Sequence, residues 1–118
     1  MDKISEIKDL QIKIKKFVTE RDWMQFHNHK DMAISLVLEA NEVLEHFQWK
    51  NPEEVKKRAE THKDQLEEEI ADVAIYLLEL AENLNIDLSK AVLKKIKKNL
   101  IKYPVGKAKG KHTKYNEY

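Results

Sequence analysis

The segment IADVAIYLLELA, residues 70–81, is apolar on nearly every face that a helix would present. A helix of that kind must be covered on several sides. In a chain of 118 residues one layer of neighbouring helices cannot cover it, so a helix from a second copy of the chain is expected to pack there. The rest of the sequence supports helices rather than strands. It holds only two glycines and two prolines, with 42% hydrophobic and 36% charged residues, and it shows neither strand-type alternation nor an internal repeat. The expectation is an all-α, four- to five-helix bundle, a single domain over residues 1–118, working as a dimer.

Ile4, Ile7, Leu10, Ile14, Phe17 and Val18 recur at helical spacing and predict a first helix to about Arg21. RDWMQFHNHKD, residues 21–31, breaks the periodicity and reads as an aromatic-lined turn. Asp31 is placed to cap a second helix with an apolar face of Ala33, Leu36, Val37, Ala40, Leu44 and Phe47. Asn51 followed by Pro52 is a helix start, predicting a short polar helix to His62. A long helix over residues 64–85 follows. A last helix is capped at Asp87 or Ser89 and stopped by Pro104, and residues 105–118 read as a basic tail, extended or mobile.

The net charge of +1 conceals an asymmetry: residues 1–89 carry 12 basic and 20 acidic side chains, residues 90–118 carry 10 and 1. Few aromatics interleave the C-terminal lysines, which argues against a nucleic-acid polymer as partner. No apolar run is long enough to cross a bilayer, and the N-terminus lacks the pattern of a signal peptide, so a cytoplasmic protein is expected. Cysteine is absent. Any metal must then be held by oxygen or imidazole.

The second helix carries Glu39, Glu42 and Glu45 at three-residue intervals, and the long helix repeats that spacing with Glu69 and Asp72, Tyr76 lying one turn beyond. Residues three apart on a helix are about 60° apart around the axis and one turn along it. Two such pairs on facing antiparallel helices would converge. Carboxylates gathered without basic partners repel each other unless a divalent cation lies between them. Acidic residues three apart are also common on solvated faces, and for Glu45, Glu67 and Glu68 that reading stands ahead, although Glu45 is placed to serve as a further ligand or base. Asp72 argues the other way, because it falls within the stretch expected to be buried, where an unpaired carboxylate is costly. A di-iron bundle would need Glu-x-x-His on two helices. The residues three before the five histidines are Met24, Phe26, Val43, Ala59 and Lys109, so the motif is missing. Oxygen-only ligation favours Mg²⁺, with Mn²⁺ as a substitute, and such sites commonly act on phosphate esters or anhydrides.

RDWMQFHNHKDMAISLVLEANEVLEHFQW, EEEIADVAIYLLELA, KIKKNLIKYP and KYNE, taken together in order and spacing, resemble the all-α nucleoside triphosphate pyrophosphohydrolases of the MazG type, and most closely their dCTP pyrophosphatase branch. The resemblance implies Mg²⁺-dependent hydrolysis of a (deoxy)nucleoside triphosphate, dCTP or a modified cytosine nucleotide, to the monophosphate and pyrophosphate, by a dimer or a dimer-of-dimers tetramer. Its metal-binding positions fall on Glu39, Glu42, Glu69 and Asp72, the residues that the spacing selects. The broader pattern begins with two adjacent glutamates, and the first of those positions is Leu38 here, as in the dCTP-type branch. The resemblance also implies a base pocket of Trp23, His27, Trp49 and Tyr76, where aromatic faces stack and an imidazole or phenol hydrogen-bonds an edge. Packing is the alternative for both tryptophans. His46 and His62 read as surface residues. The matching Lys-x-x-x-Asn-x-x-Lys-Tyr-Pro motif places Lys95, Asn99, Lys102 and Tyr103 at the triphosphate, and Lys114 and Tyr115 in the tail are placed to close over a nucleotide. Glu42 or Glu45 would take the proton of the attacking water, and Lys95 or Lys102 would neutralise the leaving pyrophosphate. The alternative is an inactive helical module that binds metal or nucleotide without turnover.

Overall fold

Caps fix most of the helix boundaries in the computed structural model, which describes residues 6–110. Helix α1 spans Glu6–Glu20. Asp22 follows in the left-handed region (φ 54). The N–H of Trp23 donates to the carbonyl of Val18 (3.1 Å) and that of Asp22 to Thr19 (3.0 Å). This is the Schellman arrangement, and its usual apolar contact is present as an edge-to-face pair of Trp23 and Phe17, 5.7 Å between centroids. The helix ending thus sets the position of Trp23. A single 3-10 turn, Met24–Phe26, carries the chain onward.

Helix α2 spans His29–Glu45. Its cap is Asn28, not Asp31: the Asn28 side chain accepts from the Asp31 N–H (2.8 Å) and donates to the Asp31 carboxylate (2.7 Å). Both residues can cap, and the one met first takes the role while the other occupies the third helical position. Helix α3, Pro52–Thr61, starts with a full capping box between Asn51 and Glu54. Helix α4 spans Lys63–Asn83, and Asn85 (φ 56) turns the chain away from it. The chain divides into two compact units, one up to Asn85 and one from Ile86.

Within the first unit α2 and α4 run antiparallel. Met32, near the start of α2, receives a hydrogen bond on sulfur from Asn83 at the end of α4, while His46, just past α2, reaches Glu69 near the start of α4. Gln11, buried, donates to the Leu78 carbonyl (2.9 Å) and pins α1 to α4. In the second unit Asp87 caps α5, Leu88–Lys102, through the Lys90 N–H (3.1 Å). Pro104 then caps a single helical turn, α6, Val105–Ala108, in a stretch expected to be extended or mobile. The described residues thus form six α-helices and a 3-10 turn, with no strand. Among the described residues no helix is long and apolar enough to cross a membrane.

The buried face of α2 matches the apolar face that the sequence suggests only at Leu36 and Phe47, both half-buried. Met32 and His46 are buried and Leu36, Glu39 and Val43 are half-buried, a stripe at helical spacing against α4. Ala33, Val37, Ala40 and Leu44 are exposed. On α4, Leu66 is buried and Glu69, Val73 and Tyr76 are half-buried, while Ile70, Asp72 and Leu77 are exposed. Asp72 is therefore not a buried carboxylate within one chain. The helix turns its acidic edge outward, and its burial is concentrated at Leu78, Glu79 and Ala81 near its C-terminus.

Candidate active site

The α2 stripe carries Glu39 into the seam with α4, and the next turn brings Glu42 to the seam's edge. From α4, Glu69 lies in the seam and Asp72 at its edge. The other three carboxylates all act on Glu39. Glu39 is held above the usual glutamate range, first by its partial burial, then by the nearby charge of Glu42 and a side-chain hydrogen bond to it, and then by the charges of Asp72 and Glu69. Among the described residues up to Asn85, no lysine or arginine forms an ion pair with any of the four.

Glu69 is held by a relay. Arg58 Nε on α3 donates to His46 Nδ1 (3.1 Å), and His46 Nε2 bonds to a Glu69 carboxylate oxygen. Because a guanidinium can only donate, Nδ1 is the acceptor and Nε2–H donates to Glu69. His46 is 3% exposed, so its reading as a surface residue is corrected: it is the buried link between α3 and the acidic cluster.

Among the described residues no three His, Asp or Glu side chains form a ready-made metal shell. The donor set nonetheless fits a hard cation that keeps most of its water: four carboxylates on two helices, one already oriented through its outer hydrogen bond, and charge that lacks cationic compensation in its own unit.

Beside this cluster α1, the turn and α4 enclose a cavity of about 470 Å³, lined by Ile14, Phe17, Trp23, His27, Asp72, Tyr76 and Glu79 among others. Such a volume suits a nucleoside-sized ligand. Asp72 belongs both to the carboxylate cluster and to the cavity wall. Trp23, His27 and Tyr76 thus share one cavity. Trp49 does not line it: it is 93% exposed and sits at a left-handed φ of 66 just after α2. Glu45 accepts a hydrogen bond from Asn41 on the exposed side of α2 (3.1 Å). Glu67 and Glu68 are exposed. In the second unit Lys95 and Asn99 lie one turn apart on α5, and the Tyr103 N–H donates to the Asn99 carbonyl (2.8 Å). Lys114 and Tyr115 lie outside the described residues.

Sequence reasoning missed Arg58, His46 and Glu79. For His46 a signal was present: it continues the spacing 32, 36, 39, 43. For Glu79 there was none, since one acidic residue in an apolar helix does not announce its partner. That partner is His27, whose Nδ1–H donates to Glu79 Oε2.

The sequence model of the MazG-like family matches residues 34–118. dCTP pyrophosphatase 1 of Rattus norvegicus is 41% identical over 103 residues, 86% of this chain and 61% of that protein. The Homo sapiens dCTP pyrophosphatase 1 is 40% identical over the same extent. The chain thus spans about three fifths of the length of these relatives. The crystal structure of a pyrophosphatase from Archaeoglobus fulgidus superposes with a TM-score of 0.82 at 37% identity, covering 88% of this chain and 97% of that one.

Proposed function

Since the chain belongs to the MazG-like family, we propose that it hydrolyses a (deoxy)nucleoside triphosphate, dCTP or a modified cytosine nucleotide, to the monophosphate and pyrophosphate, and so removes surplus or altered nucleotides from the pool. One observation carries this reading: Asp72 joins the acidic cluster to the aromatic cavity. A nucleoside in the cavity would then direct its phosphates at Glu39, Glu42, Glu69 and Asp72.

A divalent cation, Mg²⁺ in this reading and Mn²⁺ as its substitute, held by those four residues, would neutralise phosphate charge and acidify water. The protein's own residues do the rest. Trp23 and Tyr76 hold the base, and His27 presents its free ring nitrogen to the cavity. Glu42, one turn from Glu39 on α2, takes the proton of a water attacking the α-phosphorus, with Glu45 as the other acidic candidate. The bond to the bridging oxygen breaks and pyrophosphate leaves. From the motif on α5, Lys95, Asn99, Lys102 and Tyr103 are assigned to the phosphates, where fixed positive charge and donors contribute most of the rate in such reactions.

The exposed apolar face of α2 and α4 supports self-association. Val37 is 66%, Leu38 60% and Ile70 54% exposed, and a second copy of the chain is the partner proposed to cover them.

The test is pyrophosphate release from a panel of ribo- and deoxynucleoside triphosphates, with Mg²⁺ and with chelator, beside Asp72→Asn. We expect pyrophosphate only with metal, and a loss of at least about a hundredfold in the variant, the scale of removing one electrostatic group at a reacting phosphate. Orthophosphate as product, or turnover in chelator, would sink the reading. Metal-dependent thermal stabilisation without turnover would favour a binding module.

A further inference from the structure

Glu79 is the one acidic side chain buried in the cavity wall, 5% exposed, in a lining it shares with Ile14, Phe17 and Trp23. The mechanism above makes no use of it. A carboxylate is costly to place there unless its oxygens have partners. One oxygen, Oε2, takes the hydrogen bond from His27 Nδ1. No buried side-chain polar atom among the described residues lacks a partner, and none but His27 bonds Glu79. The second oxygen, Oε1, has no partner among the described residues, and Glu79 lines the cavity.

We propose that Glu79, oriented by His27, selects nucleobases that carry an exocyclic amino group, and so favours cytosine over uracil and thymine. The inference rests on the reading that the cavity takes a nucleobase. A carboxylate is an acceptor without a hydrogen to donate. The 4-amino group of cytosine satisfies it, whereas the 4-carbonyl of uracil or thymine would set two acceptors against each other in a site with apolar walls. The spacing agrees. Asp72 and Glu79 are two turns apart on α4, about 10 Å along the axis at 1.5 Å per residue, comparable with the reach from a nucleotide's α-phosphorus to the outer edge of its base. With Asp72 at the phosphate end, Glu79 stands at the base's far edge and Tyr76 between them. His27 is a positioning residue here, fixing which Glu79 oxygen remains open.

The experiment is isothermal titration of the full chain with dCMP, dUMP and the monophosphate of the 2-pyrimidinone deoxynucleoside, which differs from dCMP only in lacking the amino group. Native protein should bind dCMP about ten- to a hundredfold more tightly than either, the range for a hydrogen bond to a charged group. Glu79→Gln keeps the side chain's shape and an oxygen for His27, yet presents an amide N–H₂ to the base. It should bind dUMP at least as tightly as dCMP. Equal binding of dCMP and the amino-free analogue by the native protein would overturn the inference, as would an unchanged preference in a Glu79→Gln protein that melts like the native one. The native comparison needs no variant, so a misfolded Glu79→Gln cannot leave the question open. Failure of pyrophosphate release from every triphosphate would sink the reaction proposed above and leave this base preference to be judged by the titration.

Discussion

Glu39 concentrates the electrostatics of the site in one side chain. Its pKa is raised by partial burial and by three neighbouring carboxylates, so the folded state holds this proton more tightly than the unfolded chain does. The stabilisation is complete below the ordinary glutamate pKa and is lost as pH rises through Glu39's elevated one. In chelator, the native protein should therefore lose stability across that window relative to Glu39→Gln, read as the difference between their urea midpoints at each pH. A flat difference would show that the cluster does not load Glu39. Added Mg²⁺ should reverse the slope, because the cation binds the deprotonated form. The acidic residues were legible because helical spacing alone selects Glu39, Glu42, Glu69 and Asp72. Their surroundings were not: Asp72 is exposed, since sequence hydrophobicity cannot say which edge of an all-round apolar helix the neighbouring helices leave open.

The α2–α4 seam is where elements decide function. Arg58 on α3, His46 at the end of α2 and Glu69 on α4 form one hydrogen-bonded line across three helices. Removing its middle member leaves a guanidinium N–H and a carboxylate oxygen without their bonds. His46→Ala should cost about 1–3 kcal/mol, the penalty for unsatisfied buried polar groups, measured by urea denaturation. Glu69→Gln should cost much less, because its amide oxygen still accepts from His46 Nε2. Equal losses would mean that Glu69's charge, not the bond, holds the helices. The helix starts at Asn51 and Asp87 were legible because caps act through local side-chain to backbone bonds. The buried face of α2 was not, because two stripes compete on that helix. The more apolar one, through Val37 and Leu44, faces out, and the one bearing Glu39 and His46 faces α4. Hydrophobicity ranked the stripes in the wrong order because polar residues at the seam satisfy one another.

At the scale of the molecule the inner stripe packs on α4, and a second copy is the partner proposed for the outer one. The apolar surplus in residues 70–81 implies the same arrangement from the sequence. Lys30, Ala33, Ile34, Val37 and Leu38 border a shallow groove on the outer side of α2, and Leu38 occupies the position where the broader family pattern has a glutamate. A carboxylate there would be drawn into the proposed interface, whereas leucine suits it. If the face is an interface, Val37→Asp buries a charge without a partner, which costs several kcal/mol and raises the dimer Kd by about a hundredfold or more. Light scattering during size exclusion should show native protein as at least a dimer and Val37→Asp as a monomer at micromolar concentration. Because α4 carries both the exposed Ile70 and the seam residues Glu69 and Asp72, the monomeric variant should also lose pyrophosphate release in proportion to dissociation and regain it at high protein concentration. Full activity in a monomeric Val37→Asp would separate the outer face from the site and leave the acidic cluster complete within a single chain.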